Sequence, residues 1–328
     1  MRTKLNSGVL FAATAYTLWG FFPIYFKALQ GVPALQVLAH RIVWAFLFLL
    51  VVLAWRGEIG HLRRLLTPRI GLSYLGAGVL LAINWLTYVW GVTAGLIVET
   101  SLGYFINPLV SVVLGVVFLR ERLRPLQWLP VGLAAVGVTY LTLAYGRLPW
   151  LALVLAFSFG FYGLLKKLAP LNALHGLTLE TGSVFLPALG YLVAVEIGGQ
   201  AAFGHGPANQ TLLLALSGAV TAVPLLLFAG GARRVPLSTL GLLQYIAPSL
   251  QFLLGVFVYG EPFGTSRLVG FSLIWLALAL FSAESALAQR RHVSATSAAV
   301  GSGYEYAEGT VAGAGSGCTV TSASGKSV

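Results

Sequence analysis

Long, uninterrupted apolar stretches dominate the pattern of this chain. Each is long enough for a helix of roughly 20 residues, the length that crosses a hydrocarbon core about 30 Å thick. Barrel strands would instead alternate apolar and polar positions over short segments. The pattern therefore predicts an all-α membrane protein with ten transmembrane helices, at residues 8–29, 36–55, 70–93, 97–119, 126–145, 148–166, 176–196, 211–230, 236–259 and 265–287.

One stretch of sequence occurs twice, at residues 102–121 and again, without a gap, at residues 242–261. The shared positions include Leu102, Ile106, Pro108 and Glu121 in the first copy and Leu242, Ile246, Pro248 and Glu261 in the second. The second copy lies in the fifth apolar run after the first, and because five is odd, the second copy is inverted in the membrane. Two inverted five-helix repeats with matching prolines are typical of secondary transporters.

The repeat divides the chain into three parts. The first five-helix repeat covers residues 1–145, and the second, inverted repeat covers residues 146–290. Residues 291–328 are rich in Ala, Gly, Ser and Thr and lack apolar periodicity, so we expect a disordered cytoplasmic tail.

Composition agrees with a chain that lies in lipid. Hydrophobic residues make up 58% of the chain and charged residues 9%, whereas soluble proteins carry about 25% charged residues. The net charge of +11 is not gathered on one face, as nucleic-acid binding would require, but lies between alternate apolar runs. By the positive-inside rule, both termini are cytoplasmic. The pattern thus indicates a multi-pass protein of the cell (inner) membrane, with the bilayer as partner and no nucleic acid.

The sequence contains no recognisable catalytic motif and no set of metal ligands. The chain contains no aspartate and one cysteine, Cys318. It has no His-Glu-x-x-His pair and no Gly-x-Ser-x-Gly turn. We therefore expect no enzyme, no metal site and no cofactor. Gly91 and Gly95 have the spacing of close helix packing, which favours contact within the chain over a homo-oligomer.

Four ionisable residues lie within the apolar runs: His40, Arg41, Glu99 and Glu180. An ionised side chain at membrane depth is costly unless it is paired or hydrated. Arg41 and Glu99 lie at a similar depth and could pair across helices two and four, while Glu180 lies near Lys166 and Lys167. These groups are either gates, with Glu99 and His40 in gating or proton coupling, or static ion pairs.

The paired prolines point to a cavity. Pro108 and Pro248 cannot donate to the carbonyls of Tyr104 and Gln244, so we expect helix breaks that face protein or a watery space. Polar side chains on the matching faces and on helix three suggest the lining of a substrate-binding site. The candidate substrate-binding residues are Arg41, Asn84, Tyr88, Tyr104, Asn107, Glu180 and Gln244. The alternative is that Asn, Gln and Tyr join helices to one another, which is common in membranes.

Several motifs resemble the RarD group of EamA-type permeases, within the drug/metabolite transporter superfamily. They are Ala-Tyr-Thr-Leu-Trp-Gly at residues 15–20, Tyr-Phe-Lys at 25–27, Leu-Ala-His-Arg at 38–41, Asn-Trp at 84–85, Glu-Thr-Ser-Leu-Gly-Tyr-Phe-Ile-Asn-Pro at 99–108, Leu-Glu-Thr at 179–181 and Tyr-Ile-Ala-Pro at 245–248. The similarity runs in order through both halves, from about residue 5 to residue 290.

The resemblance implies ten helices in two EamA repeats and a central cavity that opens to each side in turn. It also implies an inner-membrane permease of the exporter type. We expect a secondary transporter that moves a small metabolite or drug-like molecule by alternating access. The alternative is a membrane-embedded sensor or scaffold that binds a small ligand without moving it.

Overall fold

The computed structural model describes residues 2–65, 67–120, 125–146, 148–168, 170–232, 234, 243–284 and 287. The described residues up to Phe281 form one compact unit, and every regular element in the described ranges is helical. The predicted tail at 291–328, together with Glu121 and Leu242 of the repeated stretch, lies outside the described residues.

The helices follow one another with short connections. In chain order they are α1 Arg2–Gly20, α2 Phe22–Lys27, α3 Ala34–Trp55, α4 Ile59–Leu65, α5 Pro68–Thr93, α6 Ile97–Leu119, α7 Pro125–Tyr145, α8 Trp150–Leu168, α9 Ala173–Ser183, α10 Phe185–Ile197, α11 Ala208–Ala232, α12 Ile246–Leu253 with a π-helical turn at Leu254–Val258, and α13 Thr265–Glu284.

Among the described residues, seven helices are long and apolar enough to cross a membrane. The pair α9 and α10 would form one further span, bent by 43°, and two shorter apolar helices lie at Trp150–Lys166 and Ile246–Val258. Each of these segments overlaps one of the predicted apolar windows. The prediction of an all-helical protein with several membrane-length helices is confirmed.

Two of the predicted helices are interrupted. The first is divided at Phe21, and α2 begins with Phe22 and Pro23. Pro23 has no N–H, but the first N–H groups of a helix have no partner within that helix, so α2 loses no hydrogen bond. The seventh bends at Val184, because Pro187 in the first turn of α10 cannot donate to the carbonyl of Ser183. A proline thus lies just after each interruption.

Glycine allows the closest helix contacts. A Cβ atom at Gly218 of α11 would collide with the carbonyl group of Trp44 in α3, and one at Gly78 of α5 would lie 2.5 Å from the carbonyl oxygen of Glu180 in α9. Small residues of this kind let membrane helices approach backbone to backbone. They bring α3, α5, α9 and α11 together around the polar residues described next.

Candidate functional site

Arg41 lies inside the bundle, in a cage of aromatic rings. Only 3% of the residue is exposed, and its Nε donates a hydrogen bond to Oγ1 of Thr221 on α11, at 2.7 Å. Its Cζ atom lies 4.1 Å from the ring centroid of Trp85, 5.3 Å from that of Phe26 and 5.5 Å from that of Phe22. The contacts are cation–π interactions, which stabilise a guanidinium that water does not reach.

Two donors near this cage have no acceptor. Nη1 of Arg41 and Oη of Tyr88 are both buried, and neither makes a hydrogen bond. The Tyr88 ring packs edge-on against Phe26 and Tyr104, with centroid distances of 5.9 Å and 5.8 Å. Arg41 lies near both Tyr88 and Tyr104. The predicted site residues Arg41, Tyr88 and Tyr104 therefore form one cluster.

The structure does not bring Arg41 to Glu99, although their similar depth would have allowed them to pair. Arg41 is directed toward α5 and α11, where it contacts Trp85 and Thr221. Glu99, in the first turn of α6, instead lines a small cavity of about 40 Å³ together with Arg267 of α13. The similar depth of the two residues along their helices did not determine which helix faces they occupy.

Asparagine side chains join the helices next to the cage. Nδ2 of Asn84 donates to the carbonyl of Leu155 at 3.1 Å and to Oγ of Ser158 at 3.0 Å. Oδ1 of Asn84 accepts the hydroxyl of Tyr104 at 3.2 Å. Nδ2 of Asn107 donates to the carbonyl of Ala156 at 3.1 Å. Asn84 thus connects the cage to α8, whereas Asn107 links α6 to α8.

A second polar cluster surrounds Glu180, which is fully buried. Its Oε1 lies 2.7 Å from Nζ of Lys166, and its Oε2 accepts the hydroxyl of Tyr162 at 3.0 Å. Lys166 also lies over the rings of Tyr74 and Tyr162, at 5.6 Å and 5.8 Å from their centroids. The predicted proximity of Glu180 to Lys166 is confirmed, and both carboxylate oxygens have partners.

The remaining predicted residues lie apart from these clusters. His40 stacks on Phe203, with ring centroids 4.9 Å apart, and lines a cavity of about 250 Å³ with Gln36 and Glu196. Gln244 lies in the turn that precedes α12, half-buried. Pro248 is the third residue of α12, just after that turn. In contrast, α6 continues as a helix on both sides of Pro108.

Glu261 has a structural role that the sequence did not reveal. It lies between the π-helical turn and α13, and its carboxylate accepts the backbone N–H groups of Ile97 and Val98, at 2.6 Å and 2.8 Å. Burial raises the pKa of this carboxyl, while those N–H groups and the positive charges of Lys27 and Arg267 act in the opposite direction. The only signal in the sequence was its position at the end of the repeated stretch.

Comparison with known proteins places these features in a family context. The sequence profile of the EamA-like transporter family matches residues 6–143. The transporter YojE of Bacillus subtilis is 48% identical over 283 residues, which cover 85% of this chain and 94% of the relative. The protein RarD of Escherichia coli is 45% identical over 289 residues, which cover 88% of this chain and 98% of the relative.

A solved crystal structure is also similar. It is 18% identical in sequence and superposes with a TM-score of 0.55, over 84% of this chain and 97% of its own. At that identity the likeness concerns the fold alone.

Proposed function

The chain belongs to the RarD group of the EamA-like transporter family, and we propose that it exports a small metabolite or drug-like molecule by alternating access. The observation that carries this proposal is the buried cluster of Arg41, Tyr88 and Tyr104. A cation with an unsatisfied N–H group and a hydroxyl without an acceptor, both buried in a membrane bundle, are typical of a substrate site. Static helix joining would leave neither donor unsatisfied.

The proposed architecture is ten spans in two inverted repeats, residues 1–145 and 146–290, with both termini in the cytoplasm. The seven membrane-length helices, the bent pair α9–α10 and the two shorter apolar helices support this number of spans. The repeated stretch with its prolines, together with the alternation of basic connections, supports the inversion. The multi-pass protein lies in the inner membrane.

We assign the two clusters to different steps. Arg41, Tyr88, Tyr104 and Asn84 form the substrate site. The pair Lys166–Glu180, which links α8 to α9 beside the bend at Val184, acts as a gate that must separate when the cavity opens on its side. Glu99 and His40 line separate cavities, where they serve gating or proton coupling.

Flux through reconstituted vesicles tests the proposal. Purified protein is inserted into liposomes, which are incubated with a mixture of radiolabelled amino acids, organic acids and antibiotics under an imposed pH gradient. We expect at least one solute to accumulate against its own gradient, and liposomes without protein are the control. Ligand binding without any flux would instead indicate a membrane-embedded sensor or scaffold. Chemical conversion of a solute would indicate an enzyme.

A further inference from the structure

The cage around Arg41 lacks one chemical component, an acceptor. A guanidinium carries five N–H donors and stays charged at every physiological pH. Thr221 takes the hydrogen bond from Nε, and Nη1 is buried without a partner. Within the described part of the chain, no carboxylate lies within ion-pair distance of Arg41. The positive charge of Arg41 is therefore not balanced by any described residue.

The neighbours of Arg41 stabilise only part of its side chain. Aromatic rings interact with the flat faces of a guanidinium and leave its N–H edge to be satisfied by oxygen atoms. The hydroxyl of Tyr88 is a second donor without an acceptor in the same cluster. Unpaired charge and unsatisfied donors inside a membrane protein are unfavourable, so their combination indicates a missing group that is negatively charged and rich in oxygen.

We propose that Arg41 recognises an anionic oxygen group of the transported molecule, with a carboxylate as the group that fits best. This inference rests on the transport function proposed above. A carboxylate can accept two parallel hydrogen bonds from a guanidinium and become neutralised in the same step. The rings of Trp85 and Tyr104 would contact an apolar or aromatic body attached to it. The substrate class is thus organic acids with a hydrophobic part.

Matched acid and amide probes test the charge requirement. Thermal unfolding and calorimetric binding of the purified full-length protein are measured with phenylacetate, phenylacetamide and phenyl phosphate. A ligand that binds the folded state raises the melting temperature, and we expect this from phenylacetate but not from phenylacetamide. Stabilisation by phenyl phosphate alone would show that the site selects phosphate esters, and it would overturn the assignment to carboxylates.

Two variants test whether phenylacetate binds at the cluster of Arg41 and Tyr88. Arg41→Gln should weaken phenylacetate binding about tenfold or more, whereas Arg69→Gln makes the same change at an exposed arginine and should leave it unaltered. Tyr88→Phe keeps the ring and removes the unsatisfied hydroxyl, so it gives a test even if Arg41→Gln fails to fold. Equal binding of acid and amide, no binding of either anion, or wild-type affinity in both cage variants would overturn the proposal.

Transport measured in parallel separates this inference from the general function. Binding of phenylacetate that depends on Arg41, without uptake into vesicles, would support anion recognition and contradict transport. Uptake of phenylacetamide that is as fast as that of phenylacetate, and unaffected by Arg41→Gln, would support transport and contradict anion recognition.

Discussion

The carboxylate of Glu261 caps the first turn of α6 by accepting the backbone N–H of Ile97 at 2.6 Å, across 164 positions of sequence. The first N–H groups of a helix have no partner within the helix and carry partial positive charge. A side chain from the neighbouring sequence usually satisfies them. Here the cap comes from the connection before α13, so it ties α6 to a distant part of the chain.

Glu261 should make stability depend on pH. Because burial raises its pKa, the folded protein binds the proton of this carboxyl more tightly than the unfolded chain does. The associated stabilisation is present below the unfolded-state pKa and is lost as the pH rises through the folded-state pKa. We expect the melting temperature of the wild type, relative to Glu261→Gln, to fall as the pH is raised from about 4 towards neutrality.

Glu196→Gln is the matched control for this measurement. Glu196 is more than half exposed and contacts His205 at the surface, where such pairs contribute little to stability. Glu196→Gln should therefore leave the dependence of the melting temperature on pH as it is in the wild type. A melting temperature of Glu261→Gln that follows the wild type in parallel across this range would contradict the role assigned to Glu261.

The ion pair between Lys166 and Glu180 should show strong coupling. Lys166→Met leaves a fully buried carboxylate without its counter-charge, and removal of one partner of a buried pair costs about 3 kcal/mol. The double variant Lys166→Met with Glu180→Gln removes both charges, so we expect it to recover most of the lost stability. Chemical unfolding of the four proteins gives the coupling energy. Simple additivity of the single changes would mean that the two groups do not interact.

Glu180 should also control transport. Glu180→Gln keeps the size of the side chain and its place beside Tyr162 but removes the charge that pairs with Lys166. We expect the variant to insert into membranes and fold, and to lose either transport or its pH dependence in vesicle assays. If the flux equals that of the wild type at every pH, Glu180 has only a structural role.

The contact between α5 and α9 should not tolerate a methyl group. In Gly78→Ala, the new Cβ would lie 2.5 Å from the carbonyl oxygen of Glu180, so the helices must separate. We expect a loss of about 1–3 kcal/mol. Gly71→Ala on the same helix meets nothing within 4 Å and should be neutral or stabilising by up to about 1 kcal/mol. Thermal unfolding of both variants compares them directly, and equal melting temperatures would contradict the close packing.

Much of the fold follows from the apolar pattern alone. Windows of uniform hydrophobicity located the described membrane helices to within a few residues, because lipid requires long apolar helices whatever their packing. The bend at Val184 does not follow from the apolar pattern, because hydropathy is continuous across it. Pro187, near the middle of that predicted span, is the residue that marks the bend.

The site was harder to predict than the spans. Lys166 and Glu180 were expected near each other because their depths in the membrane agree, and they are. The same reasoning failed for Arg41 and Glu99, since depth fixes a position along the membrane normal and leaves the helix faces undetermined. Thr221, which accepts the hydrogen bond of Arg41, gave no signal as one hydroxyl in a long apolar run.

The division at Phe21 bears on how fast the cage can open. Phe22 and Phe26, which cover Arg41, belong to α2, a helix of six residues that is separate from α1. A segment this short can tilt without unwinding a whole membrane helix. The activation barrier for exposing the guanidinium would then depend on the packing of a few aromatic rings, so substitutions at these rings should alter the rate of opening.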